Sequence, residues 1–333
     1  MFSFGLTSNG SGFEPLILLL TALFFEAVLG KMGLLYKFFR HPTVLMRNAT
    51  RFFESRLNRE KRSQMDRAIR GLLATLTIIA IAGAIGQAIS WVGSAMIWGW
   101  LLELILVSSL ISCRGLYDQV DAVKGALSET VDAGRLSLSR VITSDPWGLD
   151  KHGVARLAIE TAARGLNSGL VAPTFWYLLF GMPGLIIYRT LTVMDDLIGY
   201  KSSRYRAYGL SAARLDDIAN LVPARLSALF IVMAALFVPT ASPLRALKTM
   251  WRDGGQSASL NTGWPVAAMA GAFALALGGP EKTNDKVTNK PWIGDGRAQA
   301  TTADITKVLY LYSVASLVNA MWVGVIAVIY FSW

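Results

Sequence analysis

The residues best suited to chemistry lie in one stretch, YRTLTVMDDLIGYKSSRYRAYGLSAARLDDIANLVPARL, residues 188–226. Asp195 and Asp196 end one apolar window, and Asp216, Asp217 and Asn220 precede another. On a helix Asp216 and Asn220 share a face at i, i+4, with Asp217 beside them. Carboxylates with a carboxamide and no thiolate offer the hard oxygen donors that Mg²⁺ takes, often together with a nucleotide's phosphates. Arg214 and Arg225 could grip phosphate or carboxylate as planar forks. A structural reading stands beside this one: Asp216 and Asp217 could cap a helix, or pair with Arg214 and Arg189. The DDxxN spacing alone does not choose between them.

Two other polar clusters border apolar segments. RDGGQSASLNTGWP, 252–265, is a Gly/Ser-rich loop able to present backbone N–H groups to an anion, or simply a loop before a helix. NKPWIGDGRAQATTADI, 289–305, has turn chemistry throughout and then Thr301 or Thr302 as the N-cap of a helix. Much else is excluded. One cysteine, Cys113, and two histidines, His41 and His152, rule out a disulfide framework, a Cys-built cluster and a multi-histidine metal centre. The chain holds no Walker A run, no GxGxxG and no credible Ser–His–Asp set.

The elements that must position these clusters read as membrane helices. Only 16% of the 333 residues are charged and 53% are hydrophobic, against about 25% charged in a soluble domain. Gly71–Leu102 is free of charge and, extended past Glu103 to Ile111, is long enough for two spans, 71–90 and 93–112, turning near Ser90–Ser94. Further spans are expected at 15–36, 226–244 and 308–331. Two windows are ambiguous: 165–188, broken by Pro173, Pro183 and several glycines, suits a re-entrant segment as well as a span, and 263–278 could be a core helix. The expected fold is all-α, a polytopic helical bundle forming one membrane-embedded domain over 1–333, with amphipathic cytoplasmic helices. One of these is marked by Leu116, Val120, Val123 and Leu127, and Asp145–Pro146 reads as a helix start. Residues 37–70 carry ten Lys or Arg against Glu54, Glu60 and Asp66. Lying between apolar segments, they read as a cytoplasmic positive-inside loop of an inner-membrane protein, not as a nucleic-acid site.

With these residues in place, the chain resembles the CobD/CbiB family, the membrane-bound adenosylcobinamide-phosphate synthases of cobamide synthesis. The resemblance runs from about Leu18 to Leu317. It rests on HP at 41–42 with ESRLNR at 54–59, RGLYD at 114–118, LVAPTFW at 170–176 and MDDLIGYKSSRY at 194–205. ARLDDIANLVPARL at 213–226, SLNTGWPVAAMAG at 259–271 and KPWIGDGR at 290–297 complete it. Membership implies an ATP- and Mg²⁺-dependent ligase joining adenosylcobyric acid to aminopropanol or its phosphate. Carried onto this sequence, it implies Asp195, Asp216 and Asp217 on metal or amine, with Asp216 and Asp217 as the Mg²⁺ ligands. Arg214, Asn220, Arg225, Asn261 and His41 would then hold phosphate or substrate. The partners implied are the bilayer, a corrinoid ligand, and a homo-oligomer or membrane complex.

Departures from the family pattern fall on polar positions. Gln119 stands for a His and Gly115 for a Ser. Thr143–Ser144–Asp145–Pro146 replaces Gly-Arg-Asp-Thr. In the Ala-Glu-Asn-x-x-Asp-Gly stretch, Arg164, Gly165 and Ser168 replace Glu, Asn and Asp. Ser257 and Leu260 replace a His and a Pro, and Lys31–Met32 replaces Asp-Pro. Arg164 in place of a carboxylate should disfavour a nearby Mg²⁺ or ammonium. The alternative to an active ligase is therefore a catalytically impaired paralogue, acting as a corrinoid-binding or structural subunit of a membrane complex.

Overall fold

A computed structural model of the chain describes residues 14–30, 40–142, 144–200, 202–257, 259–283, 286–288 and 291–332. Lys31, Met32, the continuation of the first apolar segment to 36, Thr143 and Lys290 lie outside the described residues. In chain order the helices are α1 (Pro15–Leu29), α2 (Pro42–Leu57), α3 (Gln64–Ala95), α4 (Gly99–Leu110), α5 (Arg114–Glu129), α6 (Val131–Ser139) and α7 (Lys151–Leu166). A π-helical turn, Asn167–Val171, leads into α8 (Ala172–Ile198). There follow α9 (Leu210–Ala219), α10 (Leu221–Ala234), α11 (Pro243–Asp253), α12 (Gly263–Ala272) and α13 (Thr302–Ser332). Among the described residues, strands are limited to two short antiparallel pairs, β1 (Leu277–Gly278) with β4 (Trp292–Ile293) and β2 (Glu281–Thr283) with β3 (Lys286–Thr288). The protein is all-α. Four helical runs are long and apolar enough to cross a bilayer: Gln64–Ala95, Gly99–Glu129, Lys151–Ile198 and Thr302–Ser332. The Leu210–Ala219 and Leu221–Phe237 pair makes a fifth if it counts as one span. It is a multi-pass membrane protein.

Packing divides the chain into two compact units. The first comprises Met1–Ser112, Ala172–Asn220 and Ile326–Trp333, and is built on α3 against α8 and α9. The buried stripe of α3 is Arg67, Gly71, Ala74, Thr75, Ile78, Ala82, Gly86 and Gly93, small residues at helical spacing that let backbones approach. A Cβ at Gly86 would lie 2.5 Å from Pro183 Cα. Two hydrophobic clusters fill the interior. One gathers Ala74, Ile78, Met194, Ile198, Tyr208 and Ala212, the other Ala172, Tyr188, Leu191 and Ala219.

From residue 40 onward the basic stretch is largely helical. His41 caps α2, its Nδ1 accepting from the Thr43 N–H at 3.2 Å, and Pro42 supplies the first helical residue. Glu54 and Asn58, one turn apart at the end of α2, are buried with Arg67. Arg204 donates to Glu54 Oε1 from Nε (3.1 Å) and Nη2 (2.9 Å), and Arg67 donates to Asn58 Oδ1 (2.9 Å) and to the Arg204 carbonyl. This network fastens the 199–209 connection to α2 and α3.

Several sequence expectations shift. The turn after α3 falls at Met96–Trp98 rather than Ser90–Ser94, because Gly93 and Gly99 let α3 run on and the next helix start close against it. In the window 226–244 the helix begins earlier, at Leu221, and ends in a 3₁₀ turn at Ala235–Phe237, with α11 starting at Pro243. Window 263–278 holds the buried core helix α12. Asp145–Pro146 does not start a helix; Asp145 Oδ1 accepts from Trp147 N at 3.0 Å in a local turn, and α7 starts after Asp150, which caps the Gly153 N–H at 2.7 Å.

Window 165–188 is helical throughout except at Gly181, which sits at φ 64°, ψ −148° two residues before Pro183. That backbone region belongs to glycine. Gly181→Ala is expected to cost about 1–3 kcal/mol, read as a lower thermal midpoint in detergent.

The second unit, Cys113–Val171 with Leu221–Val325, is built on α7 and α12, both largely buried. The amphipathic pattern in α5 is present: Val120, Val123 and Leu127 are buried with Gly115. Cys113 Sγ lies 3.1 Å from Ser316 Oγ, and the Cys113 carbonyl accepts from Tyr312 Oη. α13 opens after Thr301, whose N–H and Oγ1 both donate to Asp304 Oδ2 at 2.8 Å.

Candidate functional site

In the first unit the ends of α8 and α9 bring four carboxylates together. Asp195 and Asp196 close α8, Asp216 and Asp217 lie on the last turn of α9, and Asp195, Asp196 and Asp217 are all near enough to act on Asp216 electrostatically. Asp216 is held at both oxygens. Thr192 Oγ1 donates to Oδ1 at 3.2 Å, and Asn220 Nδ2 donates to Oδ2 and to the Asp216 carbonyl, each at 3.0 Å. Asn220 is itself oriented by the buried Tyr188 hydroxyl, which donates to its Oδ1 at 3.1 Å. Tyr188, Asn220 and Asp216 thus form a hydrogen-bonded line that fixes the carboxylate from behind. Trp176 Nε1 secures the end of α9 by donating to the Ala219 carbonyl at 3.0 Å.

Asp217 points elsewhere, 3.8 Å from the exposed Arg214, a contact worth little at a hydrated surface. The ion pair weighed from the sequence is therefore present for Asp217, while Asp216 faces Thr192 and Asn220. Gly199 is part of the site as well: a side chain there would collide with Asp195 Oδ1, so the glycine leaves that carboxylate its room. Arg189 and Arg47 reach Asp196 electrostatically from α8 and α2. His41 lies in the same unit. Burial lowers its pKa, contact with the Ser109 backbone opposes this, and Arg189 lowers it further. A neutral ring can accept the Thr43 N–H.

The donors at this site are oxygens throughout, which suits Mg²⁺. Among the described residues no group of three or more His, Cys, Asp or Glu is placed to hold a metal ion. A Mg²⁺ here would be held by one or two carboxylates, Asp216 with Asp195 or Asp217, and completed by water and substrate phosphates, its usual mode.

Arg225 and Asn261 belong to the second unit. Arg225 donates to the Leu221 carbonyl at 2.6 Å and lies 4.5 Å from the centroid of the Trp264 ring, which meets Trp251 edge-on at 5.7 Å. Asn261 is buried just before α12. The loop after α11 is firmly tied. Arg252 donates to Asp253 Oδ1 (2.8 Å) and Oδ2 (2.7 Å) and to Asp295 (2.6 Å), and Asp253 Oδ2 accepts from Gly294 N at 2.8 Å. The RDGG and IGDG segments are thereby joined. Arg164 is paired with Glu160 at 2.9 Å, and Glu160 Oε1 also accepts from Gly278 N at 2.7 Å, so the charge introduced by Arg164 is offset within the unit. Glu160 and Arg156 line an open groove with Gly278, Gly279 and Pro280.

Hydrogen bonds from Arg252, aided by the Gly294 N–H, hold the Asp253 carboxyl below its ordinary 3.8 against the opposing effect of burial. The unfolded chain then binds more protons than the folded one in that range. The stabilisation is complete above about pH 4 and is lost as pH falls through the folded value. Asp253→Asn should lower the thermal midpoint at pH 6 and flatten its further fall between pH 4 and pH 3.

The sequence alone does not assign Asn58, Arg67, Arg204, Gly199 or Tyr188 to these networks. The i, i+4 spacing of Glu54 and Asn58 inside a basic stretch was the available signal for the first three. The Asp195-to-Gly199 spacing was the signal for Gly199.

Known proteins share this chain's sequence along nearly its whole length. The sequence model of the CobD/Cbib protein family matches residues 19–312. A protein from a Sinorhizobium species, named cobalamin biosynthesis protein CobD, is 39% identical over 318 residues, 94% of this chain and 98% of its own. Proteins of the same name from Rhizobium meliloti and Rhodobacter capsulatus are 36% and 34% identical, covering 91% and 94% of this chain and 94% and 98% of their own lengths. No solved structure matches. With agreement of this extent, and with the motif residues gathered at the ends of α8 and α9, the chain belongs to the CobD/Cbib family.

Proposed function

We propose that this protein acts in cobalamin biosynthesis as an ATP-dependent amide ligase, condensing a corrinoid carboxylic acid, adenosylcobyric acid, with aminopropanol or its phosphate. The observation that carries the reading is Asp216 fixed by the Tyr188–Asn220 line, with Asp195, Asp196 and Asp217 near enough to act on it electrostatically, in a chain similar end to end to cobalamin biosynthesis proteins.

In this reading the corrinoid carboxylate attacks the terminal phosphorus of ATP, ADP leaves, and the amine nitrogen displaces phosphate from the activated carbonyl. Mg²⁺ supplies charge neutralisation on the phosphoryl oxygens. The chain's own residues do the rest. Asp195 and Asp217 attract the ammonium form of the amine, and Asp216, held by Thr192 and Asn220, takes the proton that the nitrogen must lose before attack. Arg214 and Arg225 are assigned to phosphate or a corrinoid side chain, with Asn261 and His41 in the substrate-binding set. Arg164 is paired with Glu160 inside its own unit, which supports this reading.

Mass spectrometry of adenosylcobyric acid incubated with purified protein, ATP, Mg²⁺ and aminopropanol phosphate tests it. A condensation product is expected. No product, with a CobD relative active in parallel, would overturn the ligase assignment and leave a corrinoid-binding or structural subunit.

A further inference from the structure

The most amphipathic helix in the second unit is α11, SPLRALKTMWRDGG with its flanks. Ala246, Thr249, Met250 and Asp253 form its buried face, packed on α12. On the opposite side Leu244 is 79% exposed and Trp251 67%, with Leu247 between them. At about 100° per residue these three make one apolar stripe, and Arg245, Lys248 and Arg252 all fall on the same flank of it. Arg252 is committed to Asp253 and Asp295, so Arg245 and Lys248 carry that flank's charge. Six residues before the helix, the preceding apolar helix and its 3₁₀ turn also leave apolar residues exposed, Met233, Leu236 and Phe237.

An uncovered stripe of Leu and Trp is costly in water, at about 25 cal/mol per Å². A leucine–tryptophan stripe edged by cations has the chemistry of a helix that lies in the headgroup region, its apolar side at the acyl boundary. Tryptophan prefers that depth, and Arg and Lys stems reach from it towards phosphate. The chain is already embedded in a bilayer through its long apolar helices, so the surface that fits the stripe is at hand.

We propose that α11 lies in the plane of the membrane interface, with Leu244, Leu247 and Trp251 inserted among the lipids and Arg245 and Lys248 engaging anionic headgroups. The same helix ends at Asp253, which holds Gly294 and, through Arg252, Asp295. A docked α11 therefore sets the depth of the 292–297 segment beside the bilayer.

The single native cysteine makes the test direct. Full-length protein carrying Cys113→Ser and Leu244→Cys is labelled with an environment-sensitive fluorophore and reconstituted into vesicles of phosphatidylcholine with phosphatidylglycerol. Leu247→Cys and the polar position Gln256→Cys serve as a parallel site and a control. Labels at 244 and 247 should emit to the blue, be quenched by a doxyl group near the lipid carbonyls, and resist iodide. The label at 256 should be quenched by iodide. In the phosphatidylglycerol vesicles, Lys248→Gln should lower the docked-to-undocked ratio roughly fivefold, and it should change nothing in phosphatidylcholine alone. Iodide quenching at 244 and 247 without lipid quenching would overturn the proposal. So would a blue-shifted label untouched by either quencher, which would mean that a second copy or another protein covers the stripe. An unchanged ratio for Lys248→Gln would overturn the anionic-headgroup assignment.

Discussion

Asp216→Ala is expected to lower the rate of ATP-dependent amide formation about a hundredfold or more, with thermal stability close to that of the unchanged protein. The carboxylate sits where two constraints meet. Thr192 and Asn220 fix both of its oxygens, and Asp195, Asp196 and Asp217 act on it electrostatically. A fixed carboxylate facing other carboxylates is suited to receiving a proton from a bound ammonium and can still lend an oxygen to a divalent cation. The residues behind it should matter less, and in order. Tyr188→Phe removes one hydrogen bond from Asn220, a loss of about 1 kcal/mol, and should slow the reaction about five- to tenfold. Thr192→Val should act similarly, through the other oxygen. Asp217→Asn should fall between these and Asp216→Ala if it attracts the amine, and should raise KM more than it lowers kcat. Rates from product formation under saturating ATP decide the order. Equal losses at Asp216 and Tyr188 would mean that the line is structural and the chemistry lies elsewhere.

Much of this arrangement was legible beforehand, for identifiable reasons. Asp216 and Asn220 had to meet if 210–220 was helical, because residues four apart share a face. Their partners across the unit are hidden, since Tyr188 closes an apolar window and Thr192 follows it as an ordinary hydroxyl residue until α8 is laid beside α9. Charge counting locates α3 and α13 but gives the basic connection before α3 no internal structure, because ten cations obscure the buried Glu54–Asn58 turn at the end of α2. It also set the end of the first hairpin helix too early. Gly93 and Gly99 are instead the positions that let the two helices of the hairpin touch. Arg164 shows the same limit for charge. Its sign was plain, and only the fold places Glu160 one turn before it in a pair that also takes the Gly278 N–H.

The connection between α8 and α9 sets how the two Asp pairs face each other, and its fit depends on one glycine. Gly71 on α3 lies directly under the Tyr208 carbonyl, so close that even a methyl group would collide with that oxygen and its carbon. One turn earlier on the same face, Arg67 donates to the Arg204 carbonyl and to Asn58, while Arg204 itself grips Glu54. The collision is with backbone, which cannot rotate away as a flexible side chain could. Gly71→Ala should therefore cost about 2–3 kcal/mol, seen as a lower thermal midpoint in detergent, and should reduce activity by letting Asp216 drift from Asp195. Helix propensity alone predicts the opposite sign, since alanine favours a helix interior by up to about 1 kcal/mol over glycine. Gly125, on the exposed side of α5 with nothing near its missing Cβ, isolates that effect: Gly125→Ala should raise the midpoint slightly. Opposite signs for two identical substitutions in helices would identify close backbone approach as what holds the connection. A stabilising Gly71→Ala would mean that α3 and the 199–209 segment do not press together in the membrane, and the clamp on the acidic site would have to lie in the Glu54–Arg204 network alone.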